Sequence, residues 1–176
     1  MKILITGPQG SGKTTHAKLI SEDLKIPVID AGNMLRELAK KNTSDGIKVQ
    51  ESMKTGTLAP DEIVGRMVKD RVSQDDCRNG YVMDGYPRSL PQIKVFEPGY
   101  THVYYLDISD QEATQRLLRR GRADDNPELI AKRLSLYHQN TEPVLAYFEK
   151  LGILTKVDGS GSIEEVNAKI KNSLHG

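Results

Sequence analysis

The sequence predicts an α/β protein in which a five-stranded parallel sheet is covered by helices on both faces. Five apolar runs have the length of strands and are rich in β-branched or aromatic residues: residues 3–6, 26–30, 81–84, 103–107 and 153–157. The runs show little polar alternation, which is typical of strands that are buried on both faces. Helical segments separate the runs, and this alternation predicts parallel strands joined by right-handed crossovers.

The helical segments differ in how clearly they are bounded. Residues 13–25 form an amphipathic segment, and residues 126–151 are predicted as one long amphipathic helix. Residues 162–174 begin with Ser-Ile-Glu-Glu, the spacing of a capping box. Residues 31–80 contain helical patterns and turns without a clear strand. We therefore expect a small helical insertion over the carboxyl edge of the sheet.

Length and composition exclude several classes of protein. The 176 residues suit one domain, with 37% hydrophobic and 28% charged residues. With 25 basic and 24 acidic residues the net charge is +1, which does not support a general affinity for nucleic acid or anionic membrane. No apolar stretch is long enough to span a bilayer, and the opening MKILITGPQG lacks the apolar segment of a signal peptide. We expect a monomeric, cytoplasmic protein.

Residues 7–14, Gly-Pro-Gln-Gly-Ser-Gly-Lys-Thr, match the phosphate-binding loop G-x-x-x-x-G-K-[ST] between a strand and a helix. Glycines let the backbone N–H groups converge on phosphates, and the following helix adds its dipole. Lys13 is expected to reach the β- and γ-phosphates, and the Thr14 hydroxyl to ligate or orient Mg²⁺. The loop predicts the three-layer fold of P-loop NTPases and a nucleoside triphosphate ligand.

Two further segments carry charges that suit phosphate chemistry. The strand at 81–84 ends in Asp84, the usual place for a second group that organises Mg²⁺, and Arg88 follows on the turn. Residues 116–122, RLLRRGR, hold four arginines without an acidic residue. Taken alone, this run is either a solvated helix face or an anion site.

With these segments the chain resembles, over essentially its whole length, the adenylate kinase family of nucleoside monophosphate kinases. The resemblance rests on GPQGSGKTT, Asp-Ala-Gly-Asn-Met-Leu-Arg at 30–36, Gly-Thr-Leu-Ala-Pro-Asp at 56–61, DGYPRSLPQ at 84–92, RLLRRGRADD at 116–125 and KRLSLYHQNTEP at 132–143. It implies reversible in-line transfer of a phosphoryl group from MgATP to AMP, giving two ADP. Such a transfer joins two polyanions, so an arginine-rich site is expected.

The resemblance also implies roles for individual residues. It implies a catalytic set of Lys13, Arg88, Arg120, Arg122 and Arg133. It implies ATP binding by Gly10, Ser11, Gly12, Lys13, Thr14, Thr15, Arg116, Arg120 and Gly161, and Mg²⁺ at Thr14 and Asp84, directly or through water. It implies AMP binding by Ala31, Arg36, Thr57, Leu58, Ala59, Gly85, Tyr86, Pro87, Arg88, Gln92, Arg122 and Arg133. Within these sets, Arg36 and Arg88 would hold the acceptor phosphate, Gln92 would read the acceptor base, and Arg116 would pack over the donor base.

Two moving parts follow from the same resemblance, inside a single kinase domain spanning 1–176. Residues of about 30–59 would form the acceptor-binding insertion, and about 120–126 a very short donor lid. Some family members carry a four-cysteine zinc site in the lid, which one cysteine, Cys77, rules out here. Asp124 and Asp125 are expected to tether the closed lid through hydrogen bonds or arginine pairs, or to cap the next helix.

Two departures from the family pattern matter, and the first of them leaves the acceptor base open. Ala31 replaces a threonine that contacts adenine and is more typical of uridylate/cytidylate kinases, whereas Gln92 favours adenine. Thr14 stands where most relatives have glycine, so Thr14 and Thr15 are both candidates for the metal-side hydroxyl. The alternatives are therefore a pyrimidine nucleoside monophosphate kinase and, from another class, a nucleotide-binding assembly protein that hydrolyses ATP slowly.

The remaining polar and aromatic residues are given structural interpretations. His16, His102, His138 and His175 show no metal spacing and are expected at the surface or as caps. Tyr137 and Tyr147 are expected in the core, and Cys77 in a loop without a role.

Overall fold

A fully parallel sheet forms the centre of the protein. The computed structural model describes residues 1–122 and 125–174, and within them this sheet has five strands. The strands are β1 (Lys2–Thr6), β2 (Val28–Asp30), β3 (Tyr81–Asp84), β4 (His102–Asp107) and β5 (Leu154–Asp158), in the order β2-β3-β1-β4-β5. The α/β prediction is confirmed, because every predicted strand is present and every pairing is parallel.

Helices connect the strands as the alternation predicts. They are α1 (Lys13–Leu24), α2 (Ala31–Ala39), α3 (Ser44–Thr55), α4 (Asp61–Val72), α5 (Leu90–Val95), α6 (Asp110–Arg120), α7 (Pro127–Asn140), α8 (Glu142–Lys150) and α9 (Ile163–Leu174), with a 3₁₀ turn at Asp75–Cys77. Residues 31–80 are all described and contain no strand, as expected. The capping box of α9 is confirmed, since Glu165 N–H donates to Ser162 Oγ and Ser162 N–H donates to the Glu165 carboxylate.

The prediction of one helix over 126–151 is wrong. The segment divides into α7 and α8 at Thr141, and Pro143 lies in the first turn of α8. Proline has no N–H to donate to the preceding turn and its ring crowds that turn, so it favours the start of a new helix over continuation of the old one. The break places Thr141 at the edge of the central cleft.

The sheet is buried on both faces, which explains the unbroken apolar strands. Successive residues of β1 point to opposite sides, so Leu4 and its neighbours Ile3 and Ile5 join different cores. Leu4 packs in the core that holds Val64 and Val68 of α4 and Val144 and Phe148 of α8. Ile3 and Ile5 pack in the core that holds Ala17 and Ile20 of α1 and Val166 and Ile170 of α9. The result is three layers, helices–sheet–helices.

A third core joins the two helices that flank the segment 121–126. Ile108, between β4 and α6, and Ala113 and Leu117 of α6 pack with Ile130 and Leu134 of α7. This contact fixes the two helices at the carboxyl side of β4. In the described ranges, no helix combines the length and the apolar character needed to cross a membrane.

Candidate active site

A cleft of about 510 Å³ lies at the carboxyl edge of the sheet, beyond the ends of β1, β2 and β3. Thr6, Asp30 and Asp84, the last residues of these strands, all line it. Most predicted site residues line it too: Gly10, Gly12, Lys13, Thr14, Thr15, Arg36, Thr57, Leu58, Ala59, Asp84, Gly85, Arg88, Gln92, Arg116, Arg120, Arg122 and Arg133. Among the described lining residues, seven are basic and only Asp30 and Asp84 are acidic, so the cleft attracts anions.

The phosphate-binding loop joins β1 to α1 in a conformation that requires glycine. Gly10 has φ +88°, and a Cβ there would lie 2.7 Å from the carbonyl oxygen of Ala113 on α6. Gly12, also at φ +88°, is the N-cap of α1, and it lets the chain turn into the helix without a side chain over the cradle. Because the first N–H groups of α1 have no partner within the helix, this end of α1 suits phosphate oxygens.

Lys13 has the electrostatics of a phosphate-binding lysine. Its Nζ donates to the carbonyl oxygen of Pro8 at 2.7 Å, which curls the side chain over the loop. The pKa of Lys13 is lowered to about 8, mainly by burial in the cleft; the charge of Asp84 opposes this shift, and the charges of Arg88 and Arg120 contribute to it. A polyphosphate bound beside the ammonium would favour the charged form, so binding and protonation of Lys13 are coupled.

Thr14 and Asp84 place two oxygen groups side by side beneath the loop. The Thr14 hydroxyl donates to Asp84 Oδ2 at 2.5 Å, and the Asp84 carboxylate is buried at the end of β3. Hydroxyl and carboxylate oxygens next to bound phosphates are the donor set that Mg²⁺ prefers. Thr15 also lines the cleft, with its side chain more exposed. In the described part of the chain no cluster of three or more His, Cys, Asp or Glu could hold a metal by itself.

A second anion site lies opposite the loop, where Arg36 of α2 and Arg88 of the β3–α5 turn converge over Gly32. A Cβ on Gly32 would lie 3.4 Å from Arg36 Nη1 and 3.6 Å from Arg88 Nη2, so the absent side chain leaves room between the two guanidinium groups. Arg88 Nε donates to the carbonyl oxygen of Gly85 at 2.9 Å, and Arg36 lies 3.7 Å from Asp30. Two planar forks facing one spot suit a phosphate monoester.

Gln92 lies beside this second anion site but has a partner of its own. The residue is buried, and its Oε1 accepts the backbone N–H of Arg88 at 2.7 Å. The amide nitrogen is therefore the group that Gln92 turns to a ligand, although the carbonyl oxygen retains a second lone pair. The amide that is predicted to read the base thus also supports the turn that carries Arg88.

A buried carboxylate gathers the arginines that flank the segment 121–126. Asp125 accepts two hydrogen bonds from Arg120, at 2.8 and 2.7 Å, and one from the backbone N–H of Arg122 at 3.2 Å. Arg133 of α7 lies 3.7 Å from the same carboxylate. The hydrogen bonds from Arg120 hold the pKa of Asp125 below its usual value. Asn126, rather than Asp125, caps α7, with its Oδ1 accepting from Leu129 N–H.

Asp125 is therefore in contact with arginines, as its expected role as an arginine partner requires. The expectation that it caps the next helix is wrong, because Asn126 does so. Asp124 lies outside the described residues. One turn earlier on α6, Arg116 donates to Glu112 and to the carbonyl oxygen of Gly159 at 3.0 Å, which ties α6 to the loop after β5.

Five predicted binding residues do not line the cleft. Ser11 is buried under the loop, and its hydroxyl has no hydrogen-bond partner among the described residues. Ala31 packs in the core that holds Val64, Tyr86 and Pro87 are buried residues of the turn that carries Arg88, and Gly161 lies next to Glu165 at the start of α9. Any contact that these residues make with a ligand would have to go through the backbone or follow a movement.

Other lining residues were not found by sequence reasoning. Leu35, Met53 and Val64 give the acceptor end of the cleft an apolar wall, and Thr141 reaches the cleft from the α7–α8 break. Hydrophobic side chains on amphipathic helices normally indicate core packing, so no signal separated the first three from core residues. Thr141 could have been found from Pro143, which marks the break.

The expected surface position of His16 is wrong, and Cys77 lies in a 3₁₀ turn rather than in a loop. His16 is not at the surface: it is buried against the phosphate-binding loop, burial lowers its pKa, and its Nδ1 has no partner in the described ranges. Cys77 is also buried, in the core next to Tyr81, because its 3₁₀ turn folds back onto the sheet. His138 is partly exposed as expected, Tyr137 is buried and Tyr147 packs against the core. His175 lies outside the described residues.

Comparison with known proteins agrees with the cleft geometry. A sequence model of the adenylate kinase family matches residues 5–153. An adenylate kinase of Bifidobacterium longum is 38% identical over 99% of this chain and all of its own length. The adenylate kinases of Renibacterium salmoninarum and Pseudarthrobacter chlorophenolicus are 39% and 40% identical, over 99% and 98% of this chain and 96% of each relative.

Proposed function

This chain belongs to the adenylate kinase family, and we propose that it transfers the γ-phosphoryl group of MgATP reversibly to AMP, giving two molecules of ADP. The observation that carries the proposal is the presence of two anion sites in one cleft. Lys13 and the N-terminus of α1 form the first, and Arg36 and Arg88 over Gly32 form the second. A protein that bound one nucleotide would have no use for the second site.

We propose that the two sites hold the donor and acceptor phosphates in line. The phosphate-binding loop would hold the β- and γ-phosphates of ATP, and Arg36 and Arg88 would hold the phosphate of AMP. An oxygen of the AMP phosphate would then attack the γ-phosphorus directly, as the ADP oxygen leaves on the opposite side. Orientation of the two polyanions supplies much of the rate enhancement in such a reaction.

Charge that spreads over the transferring group would be neutralised by the arginines from α6 and α7. Arg120, Arg122 and Arg133 line the cleft. Asp125 accepts from the guanidinium of Arg120 and from the backbone N–H of Arg122, and its Oδ1 lies 3.7 Å from Arg133 Nη1, so it limits the freedom of the Arg120 and Arg133 side chains to turn away. Fewer rotamers then have to be frozen when the nucleotides bind. Arginines ordered in this way stabilise the transition state better than disordered arginines would.

Thr14 and Asp84 fit a magnesium ion that arrives with ATP, because both offer oxygen atoms beside the phosphate cradle. Bound there, Mg²⁺ would neutralise charge on the β- and γ-phosphates. We further propose that residues 30–59 and 120–126 close over the acceptor and the donor. The first segment is joined to the sheet through β2, and the second is flanked by the α6–α7 core. These separate attachments support separate roles for the two segments. That the enzyme is monomeric and cytoplasmic remains a prediction.

Initial rates with AMP, dAMP, UMP and CMP at saturating MgATP test the proposal. The donor group that Gln92 turns to the cleft suits a ring nitrogen of adenine, and an unpaired buried amide would cost about 1–3 kcal/mol. We expect AMP to exceed UMP and CMP at least about tenfold in kcat/KM, since 1.4 kcal/mol corresponds to about tenfold. Faster turnover of UMP or CMP would overturn the choice of acceptor. ATP hydrolysis that no acceptor stimulates would overturn the kinase.

A further inference from the structure

Thr141 makes a hydrogen bond that joins two distant parts of the site. It stands at the break between α7 and α8, is almost completely buried, and its hydroxyl donates to the carbonyl oxygen of Arg88 at 2.9 Å. Its own backbone is fixed, because its N–H donates to the carbonyl oxygen of Tyr137 at 2.8 Å and its carbonyl accepts from Val144 N–H at 3.0 Å. The donor of this bond is therefore held in place by two helices.

Arg88 is held at both of its peptide groups. Its N–H donates to Gln92 Oε1, and its carbonyl oxygen accepts from the Thr141 hydroxyl. The side-chain Nε is fixed on the Gly85 carbonyl. Backbone polar groups in a turn normally find partners in a regular ladder or in water. Here side chains from two different helices supply them, so the direction of the Arg88 guanidinium depends on those side chains.

We infer that Thr141 is a positioning residue for Arg88, a role that rests on the proposed function of the second anion site. Its hydroxyl fixes the acceptor-side arginine against the end of α7, the helix that carries Arg133 two turns earlier. Arg88 and Arg133 lie on separate segments of the chain but have to meet the same reacting phosphates. The bond from Thr141 sets the distance between these segments, which matters because small misplacements of reacting groups reduce rates strongly.

The inference is tested with Thr141→Val and Thr141→Ser in the full chain. Valine keeps the β-branched shape and removes the hydroxyl, and serine restores the hydroxyl without the methyl group. Ser173→Ala is the matched control. Its hydroxyl also lies within hydrogen-bond distance of a backbone carbonyl, that of Ile170 at 3.1 Å, and of the Tyr104 hydroxyl at 2.9 Å, but Ser173 lies on α9 and does not line the cleft. Each variant is assayed for kcat and for KM with either nucleotide, and its melting temperature is measured by circular dichroism.

We expect Thr141→Val to lower kcat/KM for AMP about three- to tenfold, the loss that corresponds to one buried hydrogen bond. The KM for ATP should change less than about twofold, because the lost hydrogen bond is to Arg88 on the acceptor side. Thr141→Ser should recover most of the AMP activity. Ser173→Ala should lose thermal stability without this selective change. Calorimetric titration with AMP alone should show the same ranking of the Thr141 variants.

Several outcomes would overturn the inference. Unchanged AMP constants in Thr141→Val, an equal loss for both nucleotides, or no recovery in Thr141→Ser would each reduce Thr141 to a stabilising residue. If the wild type uses AMP and the variants behave in this way, the inference alone is wrong. If the wild type binds ATP but neither uses nor binds AMP, the proposed function fails, and the role of Thr141 fails with it.

Discussion

Replacing Asp125 by asparagine removes the charge that gathers the arginines beside the segment 121–126 and changes little else. Asp125 is a carboxylate with no exposed side-chain surface, and it accepts a two-point contact from Arg120 and one bond from Arg122 N–H. Asparagine has the same shape and keeps one oxygen acceptor, but it turns an NH₂ group toward a guanidinium donor. At least one of the two bonds to Arg120 must therefore be lost.

The size of the effect follows from this geometry. A hydrogen bond to a charged group contributes about 1.5–3 kcal/mol, and the 37% exposure of the Arg120 side chain places the loss near the lower end. We expect the free energy of unfolding to fall by about 2 kcal/mol. A released arginine side chain regains up to about 2 kcal/mol of rotamer freedom, which would have to be lost again in the reaction. That corresponds to a decrease in kcat of roughly 10- to 30-fold.

The assay is the forward rate at saturating MgATP and AMP, with urea unfolding on the same preparations. Asp110→Asn is the control, because it makes the same change at the start of α6 on an exposed carboxylate whose partner is His138. We expect the control to keep its kcat within about twofold. A kcat for Asp125→Asn that equals that of the control, or exceeds that of the wild type, would refute the idea that Asp125 prepares these arginines for catalysis.

The same carboxylate has a pH signature. Its pKa is below the usual value in the folded protein, so the ionised form stabilises the fold above the unfolded pKa of about 4. That contribution disappears as the pH falls through the folded pKa. The difference in unfolding free energy between wild type and Asp125→Asn should thus be constant from pH 5 to pH 8 and shrink below about pH 4.

Three further predictions concern the phosphate-binding loop and a surface histidine. Lys13→Ala should lower kcat about 10²- to 10³-fold, the usual effect of removing a placed donor to transition-state charge. Because the pKa of Lys13 is about 8, the wild-type dissociation constant for ATP should rise between pH 7.5 and 9.5. The dissociation constant of Lys13→Arg should not rise, since arginine stays charged over this range. An equal rise in both proteins would contradict the role of the Lys13 charge in binding ATP. Hydrogen bonds to Glu142 and Asp110 raise the pKa of His138, so its stabilising effect is full below pH 6.5 and is lost as the pH rises through the raised pKa. In thermal melts, His138→Gln should be less stable than the wild type, and the difference should be larger at pH 6 than at pH 8.5. The difference should stay below about 1 kcal/mol, because the pairs of His138 with Asp110 and Glu142 are exposed. A larger difference at pH 8.5 than at pH 6 would disprove these pairs.

Much of the fold could be predicted because its signals are local. The apolar runs at β1 and β3 are each followed directly by a glycine, Gly7 and Gly85, and strand–helix alternation admits few topologies. Predictions of elements were wrong where a local pattern is compatible with two structures, here one long helix or two shorter ones. The amphipathic pattern of 126–151 continues through Thr141, and Pro143 together with the packing of α8 on the sheet decides that the chain turns there.

The sequence by itself determined the donor side of the site. The glycines, Lys13 and Thr14 of the phosphate-binding loop lie close together in the sequence, so they also lie close together in the structure. The acceptor side and the arginine cluster were decided only by tertiary structure. Arg88 and Thr141 are 53 residues apart, and the carboxylate of Asp125 holds a helix on each side. Such partners share no local pattern, because their contact depends on how α6, α7 and α8 pack against the sheet.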